Sequence, residues 1–364
     1  MSDVSYSRND PLDTAINELK QVFPGSRLEI ERVDVDASGC LQFTAITKDG
    51  SRWFTHDDRG LVEQTPLDDA EIPLSSRLAH GKSAKLETIS YRPGRRMVIQ
   101  ECLDGSLSIL KGYRKKKSTA AMFNHRVAED AADAGSFQVP RLIRQEKQLE
   151  TLVFEHLEGT PFHVDESATE TCFRIGSLLK RFQDVDRTSD LKIHRAEDEL
   201  GVIDAWRRKA LAGTGKLPSG FDAARGKLDK AMDRLPEPEW GLCHRDLHDG
   251  QILMVGGKPA LMDFDLLCKG DTALDPANLL AHFSLRSLQG FRGADERTAE
   301  ACGNALLDGL DHKADAFWNR LRFYQGTAFL RLSLVYLLRP RWVSVTPSLV
   351  ELAKRCLEEQ IRIG

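Results

Sequence analysis

The sequence predicts an α+β chain of two lobes, the first rich in strands and the second helical, with a small extra β-unit ahead of them. Three observations carry that expectation. Up to about residue 155, short apolar-alternating runs are separated by turn signals at Ala37-Ser38-Gly39, Lys48-Asp49-Gly50, Arg92-Pro93-Gly94-Arg95 and Asp104-Gly105. From Glu166 onward the apolar spacing lengthens to that of amphipathic helices. One stretch breaks the helical pattern: Gly241-Leu-Cys-His-Arg-Asp-Leu-His-Asp-Gly-Gln-Ile-Leu-Met254, then Leu261-Met-Asp-Phe-Asp265, reads as short apolar strands around a highly polar loop.

In the first unit, residues 1–75, the spacing of Leu12, Ile16, Leu19 and Val22 predicts a helix that Pro24-Gly25 stops. Strands are expected over 27–35, 41–47 and 52–56, with a short piece at 61–63. Such a meander buries little surface alone, so it is expected to pack on the lobes that come after it in the chain. Asp68 to Pro73 is polar and ends in proline, and reads as a linker. The second unit, residues 76–157, carries strands over 85–91, 96–102 and 106–113, the first two joined by the Arg92–Arg95 hairpin turn. A helix over 118–134 comes next, N-capped by Ser118 and stopped by Gly135, and then strands over 139–145 and 149–155. The third unit, residues 158–364, holds helices over 168–182, 197–211 and 221–235 and the interrupting strands. Its closing helices are expected over 274–289, 294–337 with a break near 309–312, and 347–363.

A chain of 364 residues, 41% apolar and 29% charged, is long enough for two or three packing units with a substantial core. Its formal charge of −4 gives no push toward nucleic acid or membrane, and the basic clusters at Arg92, Arg95 and Arg96, at Lys115–Lys117 and at Arg339 and Arg341 lack interleaved aromatics. These clusters read as solvated or phosphate-facing surface. The seven scattered cysteines read as reduced thiols, not a disulfide framework or a zinc site. With no apolar signal core at the start and no run long enough to span a bilayer, a cytoplasmic location is expected. Nothing in the sequence sets an oligomeric state.

The chemistry concentrates in the polar stretch. Asp263 and Asp265 end an apolar strand, where carboxylates are costly unless something positive lies between them. A divalent cation carrying phosphate is a suitable partner, because hard cations take oxygen ligands. His244-Arg245-Asp246, an amide side chain at Gln251 five positions later, and Asp263-Phe264-Asp265 on a following strand match the spacing of a kinase catalytic loop and its metal-binding strand. Lys111 projects from an apolar strand beside Leu107, Ile109 and Leu110, where its charge needs a phosphate or carboxylate partner.

Taken with Gly270-Asp-Thr-Ala-Leu-Asp-Pro-Ala-Asn-Leu-Leu-Ala-His282, the Tyr91–Arg95 hairpin, the Lys111 strand and the Leu152–Gly159 segment, this stretch resembles the aminoglycoside phosphotransferase and choline kinase-like superfamily. The resemblance runs from about residue 80 to the C-terminus. It implies a bilobal protein kinase-like fold and an ATP- and Mg²⁺-dependent transfer of the γ-phosphate to a hydroxyl of a small molecule, whether aminoglycoside-like, amino alcohol or sugar. It implies Asp246 as the catalytic residue that orients and deprotonates that hydroxyl. Asp263 and Gln251 would hold the metal, Asp265 would join them or stand as a solvated turn residue, and Lys111 would fix the α- and β-phosphates. Glu129, eighteen positions after Lys111 (129 − 111), has the spacing of the kinase Lys–Glu pair, an exposed helical glutamate being the alternative. Adenine would lie against the link between lobes, with backbone hydrogen bonds from Glu155 and Leu157. His244 would hold the loop through backbone, Asp275 would brace it from a helix N-terminus, and His248 replaces the lysine of serine/threonine protein kinases.

Two departures matter. Gln251 stands where the family usually has asparagine, a change shared with the maltokinase-like branch, and its extra methylene would move a metal by about a bond length. No Gly-x-Gly-x-x-Gly precedes Lys111; His80-Gly-Lys-Ser-Ala84 or the Gly94 turn could approach phosphates, or be plain surface loops. A sugar or cell-envelope kinase and a non-catalytic nucleotide-binding regulator are the rival readings. The acceptor pocket is expected between about 163 and 240 and along the C-terminal helices, with Asp184, Asp186, Asp198, Glu199 and Asp204 available to a basic acceptor.

Overall fold

Asp10 and Pro11 open the first helix. The Asp10 carboxylate accepts the Leu12 backbone N–H at 2.9 Å, and proline at the first helical position gives up an N–H that would be unpaired anyway. In this computed structural model, which describes residues 10–23, 28–36, 38–80, 85–185, 190–312 and 314–358, helix α1 (Pro11–Val22) lays Leu12, Ala15 and Leu19 on an antiparallel meander. The meander runs β1 (Glu29–Val35), β2 (Leu41–Thr47), β3 (Gly50–Asp57), β4 (Gly60–Gln64), in that spatial order. Its inward residues Val33, Val35, Leu41, Phe43 and Phe54 form a core that also takes in Leu338 from the far end of the chain. The Val33 N–H donates to the Leu338 carbonyl at 3.0 Å, and Arg339 donates to the Val33 carbonyl at 2.8 Å. The small unit is therefore built onto the helical lobe rather than standing alone.

Residues 68–73, expected as a linker, begin at the end of a 3₁₀ turn (Pro66–Asp68) and lead into α2 (Leu74–His80). This helix is too short to show periodicity in sequence. It matters for packing, because Ile72, Leu74 and Leu78 cover Tyr91, Met97, Ile99, Leu110 and Val153 of the next sheet. That sheet comprises β5 (Lys85–Arg92), β6 (Arg96–Leu103) and β7 (Ser106–Tyr113), then, after helix α3 (Ser118–Gly135), β8 (Leu142–Glu146) and β9 (Thr151–Glu155). The spatial order is β5-β6-β7-β9-β8, every pair antiparallel.

The start of α3 differs from expectation. Lys117, not Ser118, stands at the cap position, and the Ser118 N–H and hydroxyl donate to the Glu150 carboxylate at 3.0 and 2.7 Å. A carboxylate from the β8–β9 turn does the capping, a partner that local sequence cannot reveal. The helix ends one residue past the expected stop: Ser136 takes the left-handed conformation (φ 54°) and its N–H donates to the Ala132 carbonyl.

The second lobe continues with β10 (Thr160–Pro161), α4 (Thr169–Gln183), α5 (Ala196–Thr214) and α6 (Phe221–Met232). Then come β11 (Trp240–Cys243), β12 (Ile252–Val255), β13 (Lys258–Leu261) and β14 (Cys268–Asp271), paired as a β10-β12-β13 sheet and a β11-β14 ribbon. β14 reads Cys-Lys-Gly-Asp, without apolar alternation, and its strand character comes entirely from pairing with β11. Helices α7 (Leu274–Gln289), α8 (Glu296–Leu310), α9 (Asp315–Leu337) and α10 (Thr346–Glu358) close the chain. α9 is buried over most of its length, from Phe317 through Phe323, Phe329 and Leu334, and its buried Arg320 is paired with Asp271 at 3.0 Å. α4 and α8 cross closely at two glycines, Gly176 and Gly309. Among the described residues, no helix is long and apolar enough to cross a membrane.

Candidate active site

The loop after β11 is held from below by a single carboxylate. Asp275, fully buried in the first turn of α7, accepts the His244 N–H at 2.7 Å and the Arg245 N–H at 2.8 Å, one on each oxygen. The His244 ring then donates from Nε2 to the Met262 carbonyl at 2.7 Å, which ties the loop to the residue before Asp263. Arg245 (φ 68°) and Asp263 (φ 62°) both take the left-handed region, which costs a side-chain-bearing residue about 1–3 kcal/mol and persists only where the surroundings enforce it. Strain at both loops together marks them as one built site. Asp246 lies between, half-buried, and among the described residues no hydrogen bond or ion pair engages its carboxylate.

Gln251 lies beside Met262, whose N–H donates to the Gln251 carbonyl at 2.9 Å, and its own N–H donates to the His248 carbonyl at 2.9 Å. Strand β12 begins only at Ile252, because Asp249–Gln251 form a 3₁₀ turn. The Gln251 side chain is 3.5 Å from His248 Nε2 and faces a cavity of about 480 Å³ between the five-stranded sheet and the β12–β13 hairpin. Ile89, Val98 and Ile109 form one wall; Leu253, Met262 and Asp263–Asp265 form the other; Glu155, His156 and Leu157 close the back. Glu155 also clamps Arg141, donating its N–H to that residue's carbonyl and accepting its N–H on Oε1, each at 2.9 Å.

At the mouth sits a square of charges. Lys111 Nζ lies 2.8 Å from Asp263 Oδ1 and 2.7 Å from Asp265 Oδ1, while Arg96 Nη1 lies 3.1 and 2.9 Å from the two Oδ2 atoms. Tyr113 adds a hydroxyl donor to Asp265 at 2.8 Å, and Asn124 of α3 donates to the Asp265 carbonyl at 3.1 Å. Burial on its own would raise the Asp263 carboxyl, but Lys111 and Arg96 outweigh it and hold the group well below the usual carboxylate range. Burial and the Asp265 charge push the Tyr113 hydroxyl well above its ordinary value, so it remains a donor.

The expected Lys111–Glu129 pair does not form. Glu129 is buried, not exposed, and accepts the Leu142 N–H and the Arg126 guanidinium, each at 2.7 Å. The positions of α3 that face the cavity are Ala121 and His125, roughly one turn earlier. Glu129 instead closes the unpaired N–H at the start of β8. Of the acidic residues available for a basic acceptor, Glu199 is buried against His194 at 2.6 Å, Asp198 accepts the Arg195 N–H at 2.8 Å and Asp204 lies 3.5 Å from Arg225. Asp184 caps α4, and Asp186 and residues 81–84 of the proposed phosphate loop fall outside the described residues. The turn amides of the other loop candidate are already used: the Gly94 N–H donates to Asp69 at 2.7 Å and the Arg95 N–H to the Arg92 carbonyl at 3.0 Å.

Behind the loop, His248 stacks on His282 with ring centroids 4.9 Å apart, next to Asp249. Arg286 occupies both Asp249 oxygens, at 2.8 and 3.0 Å, so the trio is neutralised by protein. Burial, with His248, Arg331 and Arg286 around it, drives the His282 imidazole well below its ordinary value, and burial lowers that of His125 against opposition from its Pro140 hydrogen bond and Glu129. Both imidazoles therefore take up a proton less readily in the folded chain than in the unfolded one. As pH falls below the ordinary histidine value of about 6.5, the unfolded chain binds more protons than the folded one and stability falls. Urea unfolding between pH 7.5 and 5.5 is expected to show that decline, with a shallower slope in His282→Gln. An unchanged slope in that variant would remove His282 from the account.

Arg96, Tyr113 and Asn124 are site residues that sequence reasoning does not single out. Arg96 stands in view within a basic cluster. Its signal is the register: it lies two residues before Val98, which faces Lys111.

The fold and the site can be set beside known proteins. A family model described as the phosphotransferase enzyme family matches residues 104–312, more than half of the chain. No curated protein sequence matches significantly. Among solved structures, a choline/ethanolamine kinase family protein from Mesorhizobium loti superposes with a TM-score of 0.55 at 16% identity, covering 81% of this chain and 96% of that one. The choline kinase LicA from Streptococcus pneumoniae gives 0.54 at 12% identity, over 80% of this chain and 99% of that one. The amicoumacin kinase hAmiN, in complex with AMP-PNP, Ca²⁺ and Ami, gives 0.58 at 15% identity, over 79% and 94%. These likenesses establish the bilobal α+β fold shared with small-molecule kinases. With the family model spanning β7 through the His244–Gln251 loop to α8, the chain belongs to the phosphotransferase enzyme family.

Proposed function

We propose that the protein transfers the γ-phosphate of ATP, with Mg²⁺, to a hydroxyl group of a small molecule. The observation that carries this reading is the Asp246 carboxylate, without a hydrogen bond or ion pair among the described residues, on a loop braced by Asp275 and tied through His244 to the Asp263 strand. A carboxylate so placed can orient an acceptor hydroxyl and take its proton, while most of the remaining rate comes from positioning and charge neutralisation. Lys111 is the cation for the α- and β-phosphates. The apolar walls at Ile89, Val98, Ile109, Leu253 and Met262 suit a purine, with the Glu155–Leu157 backbone as its hydrogen-bonding edge.

Two carboxylates and the Gln251 amide form an all-oxygen donor set, which fits a hard divalent cation, so Asp263, Asp265 and Gln251 are the residues that would hold it. When bound, such an ion offsets the negative charge of the β- and γ-phosphates. Related folds support the class of ligands: one solved neighbour is a spectinomycin phosphotransferase in complex with ADP and spectinomycin, and the amicoumacin kinase carries AMP-PNP and Ca²⁺. We read residues 76–157 and 158–364 as the two lobes and 1–75 as a cap unit on them.

The test is Mg²⁺-dependent ATP turnover against a panel of aminoglycosides, choline-like amines and sugars. Phosphorylation of at least one hydroxyl compound well above the no-acceptor rate is expected. Tight nucleotide binding without turnover on any acceptor would replace the enzyme with a nucleotide-binding regulator.

A further inference from the structure

The square of charges holds one cation more than the proposed phosphate site uses. Lys111 has a role there; Arg96 has none. The register of β6 on β7 sets Arg96 opposite Tyr113 and Val98 opposite Lys111. Residues directly opposite on an antiparallel pair share a face, and so do residues two apart on one strand. Arg96 therefore extends the cavity-facing row of Val98, Lys111 and Tyr113 toward the Arg92–Arg95 turn. That turn is fixed from the cap unit: Asp69 accepts the Tyr91 hydroxyl at 2.8 Å and the Gly94 N–H at 2.7 Å. With the turn amides spent on Asp69 and on the Arg92 carbonyl, the hairpin has little backbone left with which to cradle phosphate. A side-chain cation at its base can take over that task.

Lys111 and Arg96 between them engage all four oxygens of Asp263 and Asp265. A divalent ion bound to this pair competes for those oxygens, and its charge repels the cations that hold them. Among the described residues Arg96 has no other carboxylate within ion-pair reach, and its side chain is only 22% exposed. A guanidinium at that depth is costly without a counter-ion. The anion that accompanies the metal is a polyphosphate, and a guanidinium can take two phosphate oxygens in parallel.

We propose that Arg96 is a second phosphate-binding residue of the nucleotide site, held by Asp263 and Asp265 as in this structure and exchanging them for the polyphosphate when a metal–nucleotide complex enters. The proposal rests on the reading of the cleft as a nucleotide site. It makes Arg96 a competitor of the bare metal ion and an ally of the metal–nucleotide complex.

The test measures binding, not turnover. Mn²⁺ alone is titrated by electron paramagnetic resonance, and Mn²⁺–ADP by calorimetry, on the wild-type protein and on Arg96→Gln. The variant is expected to bind Mn²⁺ alone several-fold more tightly and Mn²⁺–ADP about tenfold more weakly. Opposite signs are the signature: a merely structural arginine would weaken both, and an idle one would change neither, and either result overturns the role of Arg96. A wild-type protein that binds no Mn²⁺–ADP overturns the nucleotide reading itself. If Arg96→Gln does not fold, Arg96→Lys decides. There Mn²⁺–ADP binding is expected to weaken at least threefold, because an ammonium cannot take two oxygens in parallel, and unchanged affinity rejects the proposal.

Discussion

Asp246→Ala is expected to abolish phosphate transfer, with kcat reduced by about 10³-fold or more, while the protein stays folded and binds nucleotide as the wild type does. Fold and nucleotide binding should survive because Asp246 supports no other group: its carboxylate has no hydrogen bond or ion pair among the described residues, and the loop is held by Asp275 and His244. The check is single-turnover kinetics with any acceptor found in the panel, beside calorimetric titration of ADP. Wild-type-like turnover in Asp246→Ala would refute the proposed mechanism. Loss of ADP binding together with turnover would show that the residue shapes the loop instead of serving the hydroxyl.

The largest stability effect is expected far from the chemistry, where α4 crosses α8. A Cβ placed on Gly176 would stand 2.0 Å from the Leu306 carbonyl oxygen, and one on Gly309 would stand 2.1 Å from that of Phe173. Both obstacles are backbone, which cannot rotate aside as a side chain could. In an exposed helix, glycine to alanine gains about 1 kcal/mol from propensity. Here that gain is outweighed, since the helices must separate and the core about Ile175, Leu179 and Leu306 must open. Gly176→Ala is expected to lose about 3 kcal/mol, with Gly309→Ala similar. Urea unfolding followed by circular dichroism would measure it. A Gly176→Ala midpoint equal to or above that of the wild type would mean that the crossing has room for a methyl group.

Much of this architecture is legible in the sequence because it is written locally. The turn dipeptides and two-residue alternation mark β2, β3, β5, β6 and β7 within a residue or two of their observed bounds. The 3.6-residue spacing marks α1, α4 and α7 equally well. α2 and β14 are not legible: the first is seven residues long, and the second has no alternation and exists by pairing with β11. Ser118 shows how a sound local rule loses to a distant partner. It is a good cap by type, but Glu150 reaches its N–H and hydroxyl from another turn.

The same division holds at the site. Which residues carry oxygen donors and cations, and the spacing of Asp246, Gln251, Asp263 and Lys111, are readable from the sequence because a loop and its flanking strands keep them within a short stretch or on a strand with a clear apolar frame. Which cation meets which carboxylate is not. Arg96 lies 167 positions from Asp263 and 169 from Asp265 along the chain, and only the closure of the sheet over the β12–β13 hairpin brings them to hydrogen-bonding distance. Glu129 has the spacing of a partner for Lys111, yet the helix places it one turn too far and β8 claims it. Composition and periodicity thus determined the lobes and the stock of reactive groups. The pairing of charges was decided by tertiary structure, because Coulomb and hydrogen-bond partners are chosen by distance in space, to which separation along the chain is no guide.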